Sequence, residues 1–308
     1  MSINVASASE QQTTTPVLRF ERAGLYKTPD RSSGALQIYP GEIVALLGEA
    51  GSGKTQIVDQ IAGETEKTPG QVYLNGVNVS ISTAAERFKA GISRLPWNPS
   101  QGRLQAFLSR FNLKKTTVRS RVYQATCVRD FSREERLAIC DEALKLFNLT
   151  YLEDRSVGEF GGLSGGERRR LDFASVLASA PALLLLDSPF EGCDPATCKL
   201  LRRAISRFAE DRGATLIAVR SLSEALCTAT RVCLLENKRI VADMEPIDLL
   251  ASPNLLSPDY RKGALQILDT VAETQEYDPQ ALRQFVENAF LKAGFDPNTG
   301  RELSNSSR

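Results

Sequence analysis

The chain has 308 residues, with 38 Lys plus Arg against 37 Asp plus Glu, and it contains no histidine. Without an imidazole, His-dependent hydrolysis, zinc sites of the usual kind and haem attachment are excluded. A net charge of +1 argues against a dedicated nucleic-acid binder, which carries a basic excess to meet phosphates.

The length allows one large domain or two ordinary ones, with 42% apolar residues for a core. Residues 1–16 are rich in Ser, Thr and Gln and read as a disordered tail. Residues 17–20 read as a short strand, and Gly41-Glu42 leads into the apolar run 43–47, which ends in glycines. After Lys54 and Thr55, the spacing of Ile57, Val58 and Ile61 suits a helix face; residues 71–76 then read as a strand entering a turn. From 100 to about 154 the pattern is helical, and Ser132 with Glu135 makes a capping box. Residues 166–179 predict another helix, and 183–186, 215–219 and 231–235 predict strands. Strands alternating with helices give an α/β fold with a mainly parallel sheet, interrupted by a helical insertion at about 98–165.

Beyond residue 250, Leu265, Leu268 and Ala272 share one helical face; Asp278, Pro279 and Gly294 bracket a second helix striped with Leu282, Phe285, Val286, Ala289 and Phe290. This 251–308 extension reads either as an appendage packed on the core or as a docking element. No run reaches the roughly 18 apolar residues of a membrane span, so at a membrane another chain would have to cross it. The six cysteines, Cys127, Cys140, Cys193, Cys198, Cys227 and Cys233, form no CxxC pair. With no signal peptide evident, they read as buried thiols of a cytosolic protein.

The run Gly48-Glu49-Ala50-Gly51-Ser52-Gly53-Lys54-Thr55 fits GxxxxGK[ST] between an apolar strand and a helix, the setting of a P-loop. Glycines allow the backbone N–H groups to form a nest around phosphates, Lys54 neutralises the outer phosphates, and the Thr55 hydroxyl can ligate Mg²⁺. Asp187 ends the run of four leucines at 183–186 and could hold Mg²⁺ through a water. Taken alone it would be an ordinary strand end; beside a P-loop it is a Walker B aspartate.

Between them lies Leu163-Ser164-Gly165-Gly166-Glu167. With LSGGE placed before a helix and followed by LLLLD, the chain resembles the ATP-binding cassette (ABC) ATPases over residues 17–250. Ser164 and the Gly165 and Gly166 amides make an anion site at a helix N-terminus. The resemblance implies a P-loop NTPase fold of ABC ATPase type with a helical signature subdomain. It also implies that LSGGE closes over the ATP of a second, facing ABC subunit. Tyr26 falls where the family stacks an aromatic ring on adenine, although it also reads as a plain half-buried strand tyrosine. Asp194 matches the loop after Walker B that crosses the dimer interface.

Three positions depart from the family pattern. Ser188 follows Asp187 where the family has the glutamate that polarises water, and a hydroxyl has no accessible basic form; Glu191 could replace it only if the strand end were remodelled. Arg220 takes the place of the switch histidine. It can bind phosphate but cannot relay a proton, or else it points to solvent. Trp97 stands where a glutamine would ligate Mg²⁺, and indole is a donor only; it reads as a partner anchor or as core filling.

These departures imply a subunit that holds Mg²⁺ and ATP in a degenerate site while its LSGGE completes the site of an active second ABC ATPase. The expected assembly is a heterodimer attached to separate membrane-spanning subunits on the cytoplasmic face of a membrane, with no nucleic-acid partner. The alternative is a soluble ABC-type scaffold or switch with no transport role. DNA-repair relatives with long coiled coils are disfavoured, because the interval between Lys54 and LSGGE is too short to hold them.

Overall fold

The computed structural model describes residues 15–22, 24–26, 34–65, 70–95, 117–157, 162–250, 252 and 255–264. Most of the expected N-terminal tail, Trp97, the first part of the helical insertion and the helices read beyond residue 264 lie outside the described residues.

The strands in chain order are β1 (Leu18–Glu21), β2 (Ala35–Ile38), β3 (Ile43–Leu47), β4 (Gln71–Leu74), β5 (Val77–Asn78), β6 (Ile92–Leu95), β7 (Leu183–Asp187), β8 (Ala214–Val219), β9 (Arg231–Glu236) and β10 (Arg239–Met244). The helices are α1 (Lys54–Ala62), α2 (Ala84–Ala90), α3 (Val118–Thr126), α4 (Arg133–Leu146), α5 (Gly165–Ala178), α6 (Pro195–Glu210), α7 (Leu222–Leu226) and α8 (Pro246–Leu250).

Six strands form the main sheet in the order β10-β9-β3-β8-β7-β6, parallel except for β10. Every residue of β3, β7 and β8 is buried, as expected for parallel strands covered on both faces, which read as continuous apolar runs. Alternate side chains serve different layers. Leu183 and Leu185 join Ile57, Ile61 and Phe20 in one core cluster, and Leu184 and Leu186 join Phe147, Phe173 and Leu201 in the other.

The four-stranded antiparallel sheet β2-β1-β4-β5 adds to the parallel sheet expected from sequence. Its β2 and β5 have four residues and two, too short to display a period. The thiols also differ from expectation: Cys140 and Cys233 are buried, Cys193 and Cys198 are partly buried, and Cys127 and Cys227 are exposed. Both exposed thiols follow a helix end directly, where a side chain need not enter the core.

Helices α3, α4 and α5 pack on one another. The Ser132–Glu135 capping box opens α4 as its sequence indicates. A buried ion pair, Arg121 to Asp172 at 2.6 Å, ties α3 to α5. Burial pushes the Asp172 carboxyl up, against the opposing pull of Arg121 and two neighbouring arginines.

Arg87 of α2 is 1% exposed, and its bonds go to backbone carbonyls: Gln60 and Ile61 at 2.8 and 2.9 Å, Ser80 at 2.7 Å and Ser82 at 3.1 Å. Two of these are last-turn carbonyls of α1, the negative end of that helix. The planar fork of arginine suits this set, and a point-charge ammonium does not. Arg87→Met should therefore lower unfolding free energy by about 3 kcal/mol or more, because several buried acceptors lose their donor. Arg87→Lys should recover less than half of that loss. Denaturant melts check both values, and a change near zero for Arg87→Met would show that the carbonyls find other donors.

Candidate nucleotide site

The functional residues meet because three parallel strands end level. Register places Leu46 opposite Ala218, and Ala218 opposite Asp187. The loop after β3, Ser188 after β7 and Arg220 after β8 thus leave the same edge of the sheet, the carboxyl edge where ligands bind in open α/β folds.

In the loop after β3, Gly51 and Gly53 have φ of 80° and 101°, conformations that glycine adopts without steric cost. A Cβ on Gly48 would lie 2.5 Å from the Leu235 carbonyl and 2.6 Å from Ser52 Oγ. Gly53 caps α1 with no side-chain bond to its first amides, so those N–H groups are not met by a side chain of the cap. The loop is also braced from outside. Lys238, in the turn between β9 and β10, donates its N–H to the Ser52 carbonyl at 2.9 Å, and its side chain lies against Gly53. Arg22 in turn donates to the Lys238 carbonyl at 2.6 Å.

The buried Lys54 ammonium donates to the carbonyls of Gly48 and Glu49 at 2.6 and 2.8 Å and to Ser52 Oγ at 3.1 Å. Its pKa is lowered chiefly by burial and then by the positive charge of Arg220. Asp187 is raised by burial; a hydrogen bond from the Thr55 side chain is the largest opposing effect. A hydroxyl bonded to a carboxylate is a hard-oxygen donor set that suits Mg²⁺. Among the described residues, no cluster of three or more His, Cys, Asp or Glu could hold a metal. An ion here would complete its coordination with phosphate oxygens and water.

The positions that depart from the family pattern sit as follows. Ser188 has φ 46° and donates its N–H to Ala218 at 2.9 Å, so the chain turns sharply where the carboxylate would stand. Arg220 is exposed, and its positive charge is the second influence lowering the Lys54 pKa. Glu191 is exposed, and its charge acts on Glu224 of α7, whereas the charges acting on Asp187 are those of Arg94, Asp59 and Lys54. Tyr26 bridges to Ile240 and its hydroxyl donates to Asp243 Oδ2 at 3.0 Å; burial pushes that phenol up. Arg94 went unread in the sequence. Its guanidinium lies 3.7 Å from Asp187 Oδ2, and its only signal is a cation inside a short apolar strand.

The LSGGE residues lie at the start of α5. Ser164 caps α5 in a capping box, accepting from the Glu167 N–H at 3.2 Å while Glu167 accepts from the Ser164 N–H at 2.7 Å. Used as an acceptor, the Ser164 hydroxyl keeps its proton to donate, and Ser164 and Gly165 are exposed. A Cβ on Gly166 would lie 3.4 Å from Asp194 Oδ2. Asp194 caps α6 by accepting from Thr197 N–H at 2.9 Å, so the helix starts of α5 and α6 adjoin.

A family model described as ABC transporter matches residues 33–191. The lipopolysaccharide export system ATP-binding protein LptB of Escherichia coli (strain K12) is 29% identical over 232 residues, 74% of this chain and 90% of that protein. A probable ABC transporter ATP-binding protein of Azorhizobium caulinodans is 30% identical over 223 residues, 72% of this chain and 74% of the relative. Among solved structures, cbiO1 from Clostridium perfringens, part of the ABC transporter complex cbiONQ, superposes with a TM-score of 0.63 at 18% identity. The match covers 88% of this chain and 98% of that one.

The Glu167 carboxyl is held below its ordinary value, first by the Ser164 N–H and then by the Tyr151 hydroxyl at 2.9 Å. A carboxylate with a depressed folded pKa stabilises fully above its unfolded value and loses that contribution as pH falls through the folded one. An NMR titration should put the Glu167 midpoint below about 4.3, the free glutamate value, and Tyr151→Phe should raise it. A midpoint at or above the free value would mean that the cap is not formed in solution.

Proposed function

Since the chain belongs to the ABC transporter family of ATP-binding proteins, we propose that it is a transporter's ATP-binding subunit whose own site binds Mg-ATP but turns it over slowly or not at all. The observation that carries this reading is the Thr55–Asp187 pair at the P-loop followed directly by Ser188 in place of a carboxylate. The loop amides, Lys54 and Thr55 hold the phosphates, and the family resemblance makes Tyr26 the ring that would stack on the base. Bound magnesium would supply charge neutralisation of the phosphates through Thr55 and Asp187. Arg220, whose charge acts on Lys54, adds a permanent cation, which clamps phosphate but accepts no proton. Ser188 cannot act as a general base at neutral pH.

The exposure of Ser164 and Gly165 supports a second role. They face outward, free to close over ATP held by a second, catalytically competent ABC subunit, with Asp194 alongside at the same face. Among the described residues no helix is long and apolar enough to cross a membrane, so separate subunits would span it and this chain would sit on the cytoplasmic face.

The purified chain should bind ATP with negligible hydrolysis. Ser188→Glu should raise turnover about 100-fold, the ordinary contribution of a positioned base, and adding Arg220→His should raise it further. Turnover by the wild-type chain alone at the rate of the Ser188→Glu variant would refute the slow site. A competent partner ABC subunit should lose activity when paired with a Ser164→Arg variant of this chain. Co-purification from detergent-solubilised membranes separates a transporter subunit from a soluble scaffold.

A further inference from the structure

The hairpin between β9 and β10 turns on Asn237 and Lys238, with Glu236 paired to Arg239. Their φ angles are 47° and 65°, the pattern of a type I′ turn, for which asparagine followed by glycine is the favoured pair. The asparagine is present, but Lys238 holds the glycine place, at a steric cost that glycine would not incur. The backbone bonds of the turn do not require a lysine. Glycine would equally donate its N–H to the Ser52 carbonyl, at 2.9 Å, and accept from Arg22 at 2.6 Å.

What lysine adds is an aliphatic stem laid on the P-loop. A Cβ on Gly53 would lie 2.9 Å from Lys238 Cγ and 3.3 Å from its Cα and Cβ. Gly53 caps α1, and Lys54 is the first residue of that helix. An exposed, flexible cation anchored there stands at the positive end of a helix dipole and close to a second ammonium. That placement is unfavourable by itself and favourable once a polyanion lies on the loop. The same hairpin carries the bridge from Ile240 to Tyr26, so it touches both the P-loop and the Tyr26 segment. Resting on the ATP-binding reading above, we propose that Lys238 is a further phosphate-binding cation of the site, reaching from the β9–β10 turn to the polyphosphate of a bound nucleotide.

The test is Mg-ATP affinity, measured by calorimetry on the full chain beside a denaturant melt of each variant. Lys238→Met keeps the stem without its charge, and Lys238→Gly suits the turn better than the native residue. Each should weaken ATP binding by about tenfold, the lower range for a bond to a charged group, and the glycine variant should melt no earlier than wild type. Lys238→Arg should bind as wild type does. The loss should shrink as salt rises, because an exposed cation is screened. Affinity within about twofold of wild type in Lys238→Gly, an equal loss in Lys238→Arg and Lys238→Met, or a loss indifferent to salt overturns the inference and leaves Lys238 as a turn residue. Should Lys238→Met unsettle the hairpin, the glycine variant decides. A wild-type chain that binds no ATP sinks the ATP-binding reading itself, a result distinct from these.

Discussion

Everything at the candidate site depends on three neighbouring parallel strands ending in one row. The β3, β8 and β7 pairing brings Leu46, Ala218 and Asp187 level, and a one-residue slip in either pair would turn a buried side chain to the opposite layer. Because all three strands are buried on both faces, such slips would disturb both core clusters at once. The packing of ordinary leucines and valines therefore fixes the relative positions of a lysine, a carboxylate and an arginine that are far apart in sequence. The chemistry is local; its geometry is not.

Buried guanidinium groups do much of the joining between layers. Arg87 satisfies carbonyls at the end of α1, Arg121 joins α3 to α5 through Asp172, and Arg231 binds Asp243 at 2.9 Å and Glu42 at 3.1 Å. The Arg231 network also takes in Tyr26 through Asp243 and the Tyr39 N–H through Glu42. Such groups are costly to desolvate, and losing one deprives its partners of a buried donor. Their directional bonds also fix how one element sits on another.

The legible parts of this molecule were those with short-range rules. The glycine-rich loop, the leucine strand ending in Asp187 and the capping box at Ser132 each carry their reason within a few residues. The antiparallel sheet was not legible, since its two- and four-residue edge strands have no period to read. Arg94 was not legible either. Its place beside Asp187 comes from the β6–β7 register and from an α1 carboxylate 35 positions upstream in the chain, which no local pattern encodes. Arg220 was ambiguous in sequence, since both readings depend on how the end of β8 sits against the P-loop; it is exposed and its charge acts on Lys54.

The turn between β9 and β10 has a consequence for the thermodynamics of ligand capture. A glycine-rich loop left to itself samples many conformations, and a ligand must bear the entropy of ordering it. Here Lys238 holds the Ser52 carbonyl and packs on Gly53, while Arg22 secures Lys238 in turn. The loop is therefore set in shape when the chain folds, so its ordering is charged to folding and not to the ligand. A pocket preorganised in this way takes its ligand at a smaller entropic cost.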